Sequence, residues 1–203
     1  MFRVYKRKIC KGRCSGFTLA EILITITVIG IIAAMTIPAI VNSTSKTQLN
    51  AAAKAVTNKL NQAERLIRYE NGGTMSGVCA SSTCIVSKFT EKMHVVKTCN
   101  NSPAEGCYHQ NYLDLDGDEV VSDTQPGFIL NDGTLVTMYW NPASGGHSGI
   151  IYDVNGFKKP NTVGKDIFRL MIYADRLEYG FGTDCSTTGW GCLKNLLLGE
   201  DYY

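Results

Sequence analysis

The chain has 203 residues, enough for one sizeable domain with an appendage but not for two large cores. Its formal net charge of +2 is uneven, because six of the 20 Lys and Arg residues and no acid lie in residues 1–16. Without those six, 14 basic residues face 18 acidic ones, which argues against nucleic-acid binding by the body of the chain.

Residues 17–41 form an apolar segment of 25 residues, FTLAEILITITVIGIIAAMTIPAIV, that contains one charge, Glu21. About 20 helical residues cross the hydrocarbon core of a bilayer, so the segment is long enough to span a membrane. Cations just before the segment and none within it predict a single pass with the N-terminus in the cytoplasm. The chain after Val41 is then exported.

Residues 42–70 continue as an amphipathic helix in this interpretation. Apolar residues recur there at steps of three and four, on one helical face. They are Leu49, Ala53, Val56, Leu60, Ala63 and Ile67. Gly72-Gly73 is a stop signal, and Pro38, inside the long helix, predicts a kink or a locally loosened turn.

The remaining chain predicts an α+β head. A short helix is expected over residues 85–97, a hairpin over 127–140 around Asn131-Asp132-Gly133, and further strands over 149–154 and 167–173. The predicted fold is thus a long N-terminal helix packed on a small antiparallel sheet. The predicted boundaries are a leader at 1–16, a transmembrane and assembly helix at 17–41, and an exported head at 42–203 that includes the amphipathic half of the helix.

Six of the eight cysteines lie in the head and form three close pairs in sequence. The pairs are Cys79 with Cys84, Cys99 with Cys107, and Cys185 with Cys192. Such pairs after a membrane segment indicate disulfides in an oxidising compartment, although six cysteines allow 15 connectivities and nearest-neighbour pairing is only the simplest. The spacings do not suit zinc. Cys10 and Cys14 face the cytoplasm in this interpretation and stay reduced.

An acidic stretch, YLDLDGDEVV, places Asp114, Asp116 and Asp118 at alternate positions. This spacing begins like an EF-hand loop, but Gly117 falls one position early and Gln125 stands where the twelfth-position Glu belongs. A looser calcium loop and a solvated acidic turn both remain open, and Ca²⁺ is the only cofactor that the sequence suggests.

The sequence Gly16-Phe17-Thr18-Leu19-Ala20-Glu21 follows the basic leader and opens the apolar helix. It resembles the class III signal of type IV pilins and type II secretion pseudopilins. The resemblance covers residues 1 to about 42 closely. It implies that a prepilin peptidase cuts between Gly16 and Phe17 and that the new amine of Phe17 is methylated. It further implies that Glu21 pairs with the N-terminal amine of a neighbouring subunit and that Pro38 marks a region where pilin helices bend or melt.

Physical chemistry supports the role of Glu21. A carboxylate in the bilayer core costs about 2.5–3.5 kcal/mol on insertion scales, and a buried charge needs a partner. No Lys or Arg stands between Arg13 and Lys46, so an amine at Phe17 of another copy is the expected cation. A Sec signal peptide cut near Ala39 and a plain signal-anchor helix are the rival interpretations; the apolar run is longer than the usual 7–15 residues of a signal peptide.

A second turn region, from Asp153 through Asn155-Gly156 and Pro160-Asn161 to Asp166, resembles a segment of many bacterial pilin-like heads. The resemblance implies no chemistry for it. The local interpretation is a set of turns whose Asp and Asn side chains cap backbone groups or hold calcium.

The expected function is structural: a subunit of a type IV pilus-like filament. Expected partners are other copies and related pilin-like subunits, the prepilin peptidase, an inner-membrane assembly platform, and lipid before assembly. The chain would lie first in the cytoplasmic membrane and then in an extracellular or periplasmic filament. Alternatives are a pseudopilin of a type II secretion system and, in another class, a secreted or anchored calcium-dependent binding module. No catalytic motif is present, so an enzyme is not expected.

Overall fold

The computed structural model describes residues 16–141, 148–180 and 185–200, with the backbone alone at 38–44. By its internal contacts the chain separates into two units, Met1–Thr44 and Ser45–Tyr203. The predicted α+β class, with a long N-terminal helix, an antiparallel sheet and a disulfide-bearing head, is confirmed.

Helix α1 runs from Leu19 to Glu70. In the second unit it buries the predicted stripe, because Ala53, Val56, Leu60, Ala63 and Ile67 are all buried. Each fully buried large aliphatic side chain stabilises the fold by about 1.5–3 kcal/mol. The helix ends at Glu70, and two glycines in the left-handed region follow it, as the stop signal predicts.

The main sheet has six antiparallel strands in the order β1-β4-β5-β6-β7-β8, and β2 with β3 forms a separate hairpin. The strands are β1 Val95–Cys99, β2 Asn111–Leu113, β3 Glu119–Val121, β4 Gly127–Leu130, β5 Leu135–Tyr139, β6 Ser148–Asp153, β7 Ile167–Ile172 and β8 Leu177–Tyr179. Helix α2 spans Ser82–Thr90 and helix α3 spans Cys192–Leu198. The predicted hairpin is β4–β5, and the two further predicted strands are β6 and β7.

The single helix predicted over residues 85–97 is wrong in its second half. Helix α2 ends at Thr90, and Val95 begins β1, where it pairs with Leu130 of β4. Val96 is 67% exposed, so its helical spacing from Phe89 did not mark a buried face. Val95 and Lys97 pair with β4 on either side of an irregularity at Val96, and this tertiary pairing overrides the short periodic pattern.

The two faces of the sheet carry separate cores. The face that includes Val136, Ile150 and Leu170 packs with the stripe of α1 and with α2. The opposite face, with Leu135 and Ile167, is covered by Tyr108, the β2–β3 hairpin and the turns after β6. In the first core the hydroxyls of Thr57 and Tyr152 lie 2.7 Å apart, which joins α1 to β6 through a buried hydrogen bond.

Three disulfides close short loops in the head. They join Cys79 to Cys84, Cys99 to Cys107, and Cys185 to Cys192. The first ties the segment before α2 to its first turn, and the third ties the chain before α3 to its first residue. Each disulfide stabilises the head, because it removes conformational freedom from the unfolded chain.

Candidate functional site

Gly16 and Phe17 lie just before the first turn of α1, and both are exposed. A Cβ added to Gly16 would meet no atom within 4 Å, so the chain itself does not require glycine at this position. Phe17 is 85% exposed. The junction is therefore accessible, and a requirement for glycine would arise in whatever binds it. Most of the leader, with Cys10 and Cys14, lies outside the described residues.

Thr18 and Glu21 form a reciprocal capping box at the start of α1. The Glu21 carboxylate accepts hydrogen bonds through Oε2 from the Thr18 backbone N–H at 2.8 Å and from the Thr18 hydroxyl at 2.9 Å. The Glu21 backbone N–H in turn donates to the Thr18 hydroxyl oxygen at 3.2 Å. Sequence reasoning sought only a cation for Glu21 and missed this arrangement, although T-x-x-E before an apolar run is its signature.

The apolar segment that follows exposes its side chains on every face. Residues Leu19–Ile37 form a helical stretch that is long and apolar enough to cross a membrane, judged by length and composition. None of that stretch is buried within the chain. A helix that is apolar all round requires an apolar environment that this unit does not provide, such as lipid or the helices of other subunits. The segment is thus suited to anchoring the chain in a membrane.

Pro38 lies within the helical range of α1. The predicted bending or melting of the helix at Pro38 stays a prediction, as does the role of this region in assembly.

The acidic stretch with Asp114, Asp116 and Asp118 forms the turn of the β2–β3 hairpin. Asp114 Oδ1 accepts hydrogen bonds from the backbone N–H groups of Gly117 at 2.9 Å and Asp118 at 2.8 Å. This is a turn cap of the kind that Asp commonly makes. Among the described residues no group of three or more His, Cys, Asp or Glu side chains is placed to hold a metal ion. The calcium loop stays a prediction.

Two buried carboxylates organise the turns after β6. Asp153 contacts His109 Nε2 at 2.9 Å and accepts the Asn155 N–H, also at 2.9 Å. Asp166 accepts the backbone N–H groups of Asn161 at 2.8 Å and Thr162 at 2.7 Å. Burial raises the pKa of Asp153, and burial together with the charge of Asp153 raises the pKa of Asp166 to about 6. The sequence motif is therefore a buried polar framework, and the His109 contact had no sequence signal.

Comparison with protein families gives one match. Residues 11–37 match the family described as the prokaryotic N-terminal methylation motif. Comparisons with curated proteins and with solved structures give no significant match. The matched range contains Gly16-Phe17, the capping box and the apolar stretch, and this motif is the class III prepilin signal typical of type IV pilin and pseudopilin precursors.

Proposed function

We propose that this chain is a structural subunit of a type IV pilus-like filament. In this proposal a prepilin peptidase cuts between Gly16 and Phe17, the new amine of Phe17 is methylated, and the subunits assemble through residues 17–41. The observation that carries the proposal is the N-terminal methylation motif over residues 11–37, on a helix whose apolar surface is unburied. The chain would insert with its N-terminus in the cytoplasm and its head outside.

The geometry of Glu21 suits a second partner. Both of its hydrogen bonds to Thr18 use Oε2, and among the described residues none donates to Oε1. A carboxylate offers about four lone-pair sites, so capping leaves room for an amine. In an apolar filament core, the Phe17 amine of a neighbouring subunit would form a charge-assisted hydrogen bond with it. Capping and assembly are compatible roles for one carboxylate.

Three variants separate those roles. Glu21→Gln keeps an acceptor for the cap but removes the charge, since Gln also serves in a capping box. Thr18→Ala keeps the charge but removes the capping hydroxyl, which costs about 0.5–2 kcal/mol of helix stability. Glu21→Ala removes both. Each variant is expressed in cells of the source organism, its mature N-terminus is confirmed by mass spectrometry, and the fraction in sheared filaments is measured.

If the charge drives assembly, all three subunits are processed at Gly16, Thr18→Ala assembles, and Glu21→Gln and Glu21→Ala stay in the membrane. Assembly of either Glu21 variant would leave the neighbour's amine without a charged partner in an apolar environment, at a cost of several kcal/mol. Normal assembly of processed Glu21→Gln, with failure of Thr18→Ala, would show that capping is the only function of the box. For a pseudopilin of a type II secretion system, cross-linked multimers and secretion replace filaments as the readout.

A further inference from the structure

A cavity of about 340 Å³ lies on the face of the sheet opposite α1. Its floor is a row of side chains on neighbouring strands, Thr137 of β5, Ile151 of β6 and Arg169 of β7, which pair across the sheet in that order. Its walls come from the β2–β3 hairpin, from the residues that follow β3, and from Trp190. Its volume is within the range of small-molecule pockets, and Arg169 is the only cation among the described residues that line it.

The Arg169 side chain is half-buried and has no counter-ion within the part of the chain that the structure describes. Its guanidinium lies 4.0 Å from the centre of the Trp190 ring. That cation–π contact offsets part of the cost of the buried charge, but it supplies no ordinary acceptor for the N–H groups of the guanidinium. Of the three guanidinium nitrogens only Nε is fully buried. Nη1 and Nη2 are therefore the nitrogens that a ligand in the cavity can reach.

A second arginine of the head shows the usual arrangement. The Arg176 guanidinium lies 5.1 Å from the centre of the Tyr173 ring. Its terminal nitrogens also donate to the carboxylates of Asp175 and Glu178, at 3.0 and 3.3 Å. Arg176 is thus exposed and paired, whereas Arg169 is half-buried and, among the described residues, unpaired. A charge that is taken out of water needs a partner, and an anion from outside the chain would supply one.

The polar groups nearest to Arg169 are donors. Burial raises the pKa of Tyr112 to about 12 and also raises the pKa of Tyr139, and the charge of Arg169 opposes both shifts. Both hydroxyls therefore keep their protons at neutral pH and lie within range of that charge. The Tyr139 hydroxyl donates to Sδ of Met171 at 3.3 Å. The Tyr112 hydroxyl has no hydrogen-bond partner among the described residues and, unlike that of Tyr108, is not fully buried.

The charge and shape of the lining limit the kind of anion. Asp123 also lines the cavity, is exposed, and forms no ion pair with Arg169. Its negative charge disfavours a dianion such as a phosphate ester, whereas a monoanion needs only one cation. A planar carboxylate matches the fork of a guanidinium through two parallel hydrogen bonds. The rings of Tyr112 and Trp190, in edge-to-face contact at 6.2 Å, offer aromatic surface to an apolar body.

We propose that this cavity binds an organic monocarboxylate with an apolar body. The carboxylate accepts hydrogen bonds from Nη1 and Nη2 of Arg169 and from the Tyr112 hydroxyl, and the aromatic walls cover the rest of the ligand. For a small ligand the dissociation constant is expected to be about millimolar, because few atoms are buried. All of these residues belong to the head, so the site does not depend on filament assembly.

The test uses the full chain in a detergent without an acidic headgroup, since such a headgroup would compete. The ligands are phenylacetate, its neutral analogue phenylacetamide, and inorganic phosphate, each titrated by saturation-transfer NMR. Arg169→Gln removes the cation, Tyr112→Phe removes the second donor, and Asp123→Asn removes the nearby anion. The matched control is Arg176→Gln, which removes the same charge from the arginine that already has carboxylate partners. Thermal melting of each variant distinguishes lost binding from lost folding.

We expect phenylacetate to bind saturably, at least about tenfold more tightly than phenylacetamide or phosphate. Binding should weaken about tenfold in Arg169→Gln and about threefold to fivefold in Tyr112→Phe, stay unchanged in Arg176→Gln, and be at least as tight in Asp123→Asn. Phenylacetate should also raise the melting temperature of the unmodified chain but not that of Arg169→Gln.

Four results would each overturn the proposal. They are no binding of phenylacetate, equal binding of phenylacetate and phenylacetamide, unchanged affinity in a folded Arg169→Gln, and binding in Asp123→Asn alone. The last result would show that Asp123 is itself the partner of Arg169. If Arg169→Gln fails to fold, the comparison of phenylacetate with phenylacetamide and the loss in Tyr112→Phe still decide, because neither depends on that variant.

Discussion

Lowering the pH from 7 to 5 should stabilise the head, because Asp166 is buried beside Asp153. The ordinary pKa of an Asp carboxyl is 3.8, and burial and the charge of Asp153 raise that of Asp166 to about 6 in the folded chain. Between these two values the folded state binds more protons than the unfolded state. Its stability therefore falls as pH rises through this window and grows as pH is lowered.

The size of the expected stabilisation follows from the shift in the pKa of Asp166. A raised pKa of this size corresponds to about 3 kcal/mol over the full window, of which about 1 kcal/mol is gained between pH 7 and pH 5. For a domain of this size that gain raises the melting temperature by about 2–4 °C. Asp132 does not offset this gain in stability. Burial acts to raise the pKa of Asp132, but hydrogen bonds from Lys59 and Thr134 lower it overall. The stability that Asp132 contributes is therefore lost only as the pH falls below 5.

The assay is thermal unfolding of a fragment that begins at Ser45, with its disulfides intact, followed by circular dichroism at several pH values. Asp166→Asn is the matched variant. This variant lacks one of the two side-chain oxygens that accept backbone N–H groups, so it is less stable even at low pH. The comparison is therefore between the pH slopes and not between the absolute melting temperatures. The slope should be smaller in Asp166→Asn, with a remainder from Asp153, whose pKa burial also raises. A melting temperature that falls from pH 7 to pH 5, or equal slopes in both proteins, would refute the reasoning.

Three further predictions concern separate parts of the chain. Gly16→Leu should leave an unprocessed precursor, visible as a larger band on a gel; because a side chain there meets nothing within the chain, normal maturation would show that the cut lies elsewhere. Leu60→Ala removes a fully buried side chain from the α1 stripe and should cost about 2–5 kcal/mol, measured by denaturant unfolding; a cost near zero would contradict the packing of the helix on the sheet. If Asp114, Asp116 and Asp118 hold calcium, millimolar Ca²⁺ should raise the melting temperature and a triple Asp→Asn variant should lose the response; an unmodified head that shows no shift would contradict the calcium loop and leave only the turn cap made by Asp114.

The parts of the fold that the sequence predicted are those with a long local pattern. The α1 stripe repeats over five turns, and the turn around Gly133 marks the β4–β5 hairpin on its own. The elements that were missed are short: β2, β3 and β8 have three residues each, and α3 has seven. Three residues carry too little alternation to reveal a strand, and β1 was assigned to a helix because its pairing with β4 is a tertiary fact.

The head sites show the same limit more sharply. Tyr108 and His109 are adjacent in sequence, yet Tyr108 belongs to the core on the face of the sheet opposite α1, whereas His109 contacts Asp153, which is 44 residues away. Neither residue has a neighbour along the chain that suggests its role. Sequence motifs detect groups that lie close together in the chain. Both of these arrangements instead depend on the packing of the turns after β6 against the face of the sheet opposite α1.

The capping box at the N-terminus shows how a local arrangement can serve insertion as well as assembly. A bare carboxylate at the edge of a bilayer loses its hydration, but the Thr18 amide and hydroxyl already supply two hydrogen bonds to Oε2 of Glu21. A single subunit can therefore hold Glu21 in the membrane at a reduced cost before any neighbour arrives. In the proposed filament, the Phe17 amine of a neighbour would then have only to pair with Oε1 of Glu21. Pairing through the second oxygen would make assembly reversible in steps, since separating two subunits would return Glu21 to a partly satisfied state instead of leaving it without any partner.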